Sequence, residues 1–67
     1  MKGQHDQAIK DLDEAIKLKP NNAFACAVRG AAYIVKGMKD IGIKDLEKAL
    51  SMDPNYKWAK DQLAKAR

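Results

Sequence analysis

Apolar residues at Ala8, Ile9, Leu12, Ala15 and Ile16 recur at the i, i+3, i+4, i+7 spacing of one helix face, which predicts a helix from about His5 to Leu18. Its other side is polar, with Lys10, Asp13, Glu14 and Lys17, and the pairs Asp6–Lys10 and Asp13–Lys17 have the spacing for i,i+4 support. Pro20 stops this helix, because it has no N–H to donate. Pro20-Asn21-Asn22 then reads as a turn in which either Asn can cap the next helix. From Ala23 to Lys36 the chain is apolar almost all round, the pattern of a helix buried between neighbours, and Gly37 suits its C-terminal end. Asp40 to Met52 returns to the amphipathic pattern, with Ile43, Leu46, Ala49 and Leu50 facing inward. Gly42 inside it costs about 1 kcal/mol against Ala, so its presence implies that another helix passes very close. After Asp53-Pro54-Asn55, the segment Tyr56 to Arg67 places Trp58, Ala59, Gln62, Leu63 and Ala66 on a narrow inner side. Turns this short force the four predicted helices into antiparallel neighbours, an all-α chain.

The pattern is also periodic. Gly37–Asn55 restates Gly3–Asn21, with identities at Gly3/Gly37, Asp6/Asp40, Ile9/Ile43, Lys10/Lys44, Asp11/Asp45, Leu12/Leu46, Ala15/Ala49, Pro20/Pro54 and Asn21/Asn55. Each pair is 34 residues apart. Two helices per period of that length resemble the tetratricopeptide repeat, whose pattern runs W-x2-L-G-x2-Y, then A-x3-F, then A, then P. Cys26 to Tyr33 resembles the first part at Gly30 and Tyr33; Ala8–Leu12 and Gly42–Leu46 resemble the second with Leu for the aromatic; Ala15, Ala49, Pro20 and Pro54 complete both copies. Cys26 replaces the large aromatic, and Arg29 the Leu, so those positions are expected to pack less well. The resemblance implies antiparallel hairpins stacked as a short right-handed solenoid. Its register divides one domain, residues 1–67, into the second helix of a partial repeat (1–22), a full repeat (23–56) and a terminal helix (57–67). Small residues are expected where helix backbones cross, and Leu12, Ile16, Tyr33 and Leu46 between the crossings. The first helix lacks the partner of a complete repeat, so the chain reads as part of a longer array or as one that completes itself by self-association.

Composition narrows the functions. A third of the 67 residues are charged, and the net charge of +4 comes from 11 Lys and 2 Arg interspersed with nine acids rather than from a basic block. Nucleic-acid binding through surface lysines is therefore a low-ranked alternative. No apolar run approaches the roughly 18 residues of a membrane span, and no signal-peptide pattern opens the chain, so a cytoplasmic setting is expected. Met1-Lys2 followed at once by helical sequence fits either a cytosolic start or a cut fragment. Cys26 and His5 are single residues of their kinds, with no metal-ligand spacing and no acid–base or nucleophile constellation around them. No cofactor, metal or enzyme activity is expected.

The candidate partner-binding residues are Phe24, Ala27, Ala31, Ile34 and Val35 along the second helix, with Trp58 on the last. In the repeat family the resembling stripe lines a concave surface that receives peptides or partner helices. Phe24 and Ile34 can equally be packing residues, and Trp58 can pack on Met52 or Leu50. Some family members grip a C-terminal carboxylate in this groove with Lys, Asn and Arg; Ala27, Val28 and Ala31 carry no such groups, so that clamp is not expected. Cys26 reads as a small core filler and His5 as a solvated or packing side chain. Asp11, Asp13 and Glu14, with Asp45 and Glu47 one period on, read as a wet face. The expectation is a protein–protein interaction module binding a peptide or partner helix in a mainly apolar groove, the alternative being a homo-oligomer formed through unpaired end helices.

Overall fold

The computed structural model describes residues 4–67. Gly3, the counterpart of Gly37, lies outside them. Four helices succeed one another: α1 (Gln4–Leu18), α2 (Ala23–Val35), α3 (Lys39–Met52) and α4 (Lys57–Ala66). Each boundary falls within one residue of the pattern-based expectation. Helix α2 is the centre of the arrangement, packing against α1 on one side, α3 on the other, and α4 at one end, while α3 also packs against α4. The result is a slab of 32 × 29 × 16 Å. So thin a body leaves every helix a wet side, and its buried cluster is small: Cys26, Ala27, Leu46, Ala49, Ala59 and Leu63.

The 34-residue period is written in the backbone as well as in the side chains. At the α1–α2 turn the N–H groups of Lys19, Asn22 and Cys26 donate to the carbonyls of Ala15, Lys19 and Asn22. At the α3–α4 turn Asp53, Tyr56 and Lys60 donate to Ala49, Asp53 and Tyr56, the same three bonds one period later. The caps differ. Asn22 Oδ1 accepts from the Ala25 N–H at 3.1 Å, whereas Tyr56 makes no side-chain cap. Between α2 and α3 the chain reverses through Gly37, at φ 94°. Gly37 N–H donates to the Ile34 carbonyl and Met38 N–H to the Tyr33 carbonyl, a Schellman ending that satisfies two otherwise orphaned carbonyls.

The inner contact of the hairpin is backbone on backbone. A Cβ built on Gly30 would stand 2.7 Å from the Gly42 carbonyl oxygen, and one on Gly42 would stand 2.5 Å from the Gly30 carbonyl oxygen and from Ile34 Cγ1. This is the close passage that a glycine in mid-helix implied. Leu46, wholly buried, lies beside the crossing, within 3.1 Å of the Gly30 Cβ position. Leu12, Ile16 and Tyr33, expected between crossings, are half-buried.

Two charge expectations need correcting. The ion pairs of α1 run across helices: Asp6 bonds Lys36, and Asp13 bonds Arg29, not the lysines four residues on. Asp45, read as surface, is only 7% exposed and belongs to the interior.

Replacing Gly30 or Gly42 with Ala should lower stability by about 1–3 kcal/mol, because the crowding outweighs the gain of about 1 kcal/mol in helix propensity. Gly37→Ala meets open space and should cost only the positive φ, about 1–2 kcal/mol. Urea unfolding followed by circular dichroism checks this; a raised midpoint for Gly42→Ala would contradict the tight crossing.

Candidate partner-binding surface

At 3.6 residues per turn, Phe24, Ala31 and Val35 fall within about 20° of one line along α2, while Ala27 and Ile34 are turned away from it by about 60–80°. Exposure matches that geometry. Phe24 is 64% exposed and Val35 63%, and Ala31 is half-buried. Ala27 is completely covered, and Ile34 packs on Gly42 and on the buried cluster. Ala27 is therefore corrected from a surface to a core position, and Ile34 is held mainly by α3. The five-residue stripe resolves into an open line of Phe24, Ala31 and Val35, and Trp58 is exposed on α4, a helix that touches α2.

Trp58 is 40% exposed. Its ring lies 6.1 Å from that of Tyr56, centroid to centroid, at 34° between planes, so Tyr56 is its aromatic neighbour. The sequence signal for this neighbour is an aromatic two positions before Trp58. Phe24 and Trp58 occupy the same register one period apart (58 − 24 = 34), on helices that touch. Lys65, seven residues beyond Trp58 and exposed, falls on the same line of α4.

Behind this surface Arg29 joins three helices. Its Nε and Nη2 donate to Asp45 Oδ2 and Oδ1 of α3, both at 2.8 Å, and its Nη1 donates to Asp13 Oδ1 of α1 at 2.7 Å. The two-pronged bond to Asp45 is the strong geometry for a guanidinium and a carboxylate. That bond raises the Arg29 pKa above its already high ordinary value; burial opposes it, and Asp13 adds to it. An upward shift contributes stability at every pH below the unfolded pKa, lost only as pH rises through the folded one, beyond the working range of a protein. Arg29 was expected to weaken packing. It instead supplies a tie that a leucine could not.

The remaining candidates are placed as their simplest readings suggest. Cys26 is fully buried and His5 is exposed. Asp11, Asp13, Glu14 and Glu47 lie at the surface, Glu47 in an ion pair with Arg67 at 2.7 Å. Among the described residues, no three His, Cys, Asp or Glu side chains gather as for a metal ion.

A family model described as tetratricopeptide repeat matches residues 2–22 and 25–56. The chain belongs to the tetratricopeptide repeat family. The two matched segments carry α1 with its turn and the α2–α3 hairpin with its turn, and α4 lies beyond them. No curated protein matches the chain. Tetratricopeptide repeats generally mediate protein–protein interaction and are typically non-catalytic scaffolds. No helix among the described residues is long and apolar enough to cross a membrane.

Arg29→Met should destabilise the fold by about 3 kcal/mol, because it strands the largely buried Asp45 carboxylate. Arg29→Met combined with Asp45→Leu should recover most of that loss, while Asp13→Ala alone, at a half-exposed group, should cost under about 1 kcal/mol. Thermal unfolding of the three variants measures all of this; a double variant no better than Arg29→Met would refute it.

Proposed function

We propose that the chain is a non-catalytic interaction module that receives an apolar segment of a protein partner, a peptide or a helix, along α2 with Trp58 at its side. The observation that carries this reading is the pair of open aromatic rings, Phe24 and Trp58, at one register position on adjoining helices. Aromatic side chains bury about 150–250 Å² each, and a pair already half-covered can still gain roughly 5 kcal/mol gross at about 25 cal/mol per Å². The cost of association takes back much of this, so the expected affinity is micromolar or weaker unless further contacts are made. Ala31 leaves room for a partner to lie close between Phe24 and Val35. Lys65 favours a partner that carries an acidic group beyond its apolar residues.

Selection of peptides displayed against the immobilised chain tests the proposal. Enriched sequences should combine large apolar residues with an acid, and their binding should shift the fluorescence of Trp58, the single tryptophan. Phe24→Glu and Val35→Glu should each weaken that binding by about tenfold or more with helicity unchanged. Binding indifferent to both substitutions would sink the groove.

A further inference from the structure

We draw no further inference here: the strongest candidate, the open cleft at the start of α3 where Met38 and Ile41 stand exposed beside Lys39 and Asp40, is an apolar surface patch, and nothing in the structure shows what covers it.

Discussion

The structure depends on how closely two helix backbones can pass at Gly30 and Gly42. No side chain separates them there, and the short distance governs much of the surrounding packing. Ile34 can lie on the bare surface of Gly42, Leu46 can sit beneath Gly30, and Asp45 comes near enough to be held by Arg29 in two bonds. The alanines around the crossing carry the same logic outward: small side chains bury little area each, but they let four helices share a core of a few residues. Close approach substitutes for bulk.

Arg29 adds position to proximity. A buried ion pair is weak evidence for stability, since an apolar replacement of similar volume can serve as well. What a planar guanidinium does is demand geometry, because three helices must be in register for its bonds to form together. The open line of Phe24, Ala31 and Val35 is on the same helix as Arg29, so the tie that orients α2 between α1 and α3 also fixes the attitude of the exposed surface.

The helices, the turns and the glycine crossing were legible in the sequence because each is set by local rules: apolar spacing, a proline without a donor, and the cost of a glycine in mid-helix. The period made them mutually consistent. The surface was legible only in part. Phe24, Val35 and Trp58 were visible as apolar residues and are exposed, but a stripe read at spacings of three and four drifts around a helix, so that Ala27 falls in the core and Ile34 packs against α3. Asp45 and Arg29 were misread together. A carboxylate in an amphipathic pattern looks wet unless its partner, 16 residues earlier, is known to reach it. Comparison between the copies carried a clue, since Leu63 stands in the place of Arg29 and marks the arginine as a local departure.

Each helix packs mainly against its sequence neighbours, and the widest gap bridged by helix packing is from α2 to α4. Contact order is therefore low, and closing each hairpin costs little chain entropy before its contacts form. Such a chain has no single obligatory nucleus of distant segments. The α2–α3 hairpin, with the most extensive interface and a Schellman turn already shaped by Gly37, is the natural first unit, and the outer helices then add as zipper-like extensions. On that view fraying begins at the outer helices and stops at the glycine crossing, the last part of the molecule to come undone.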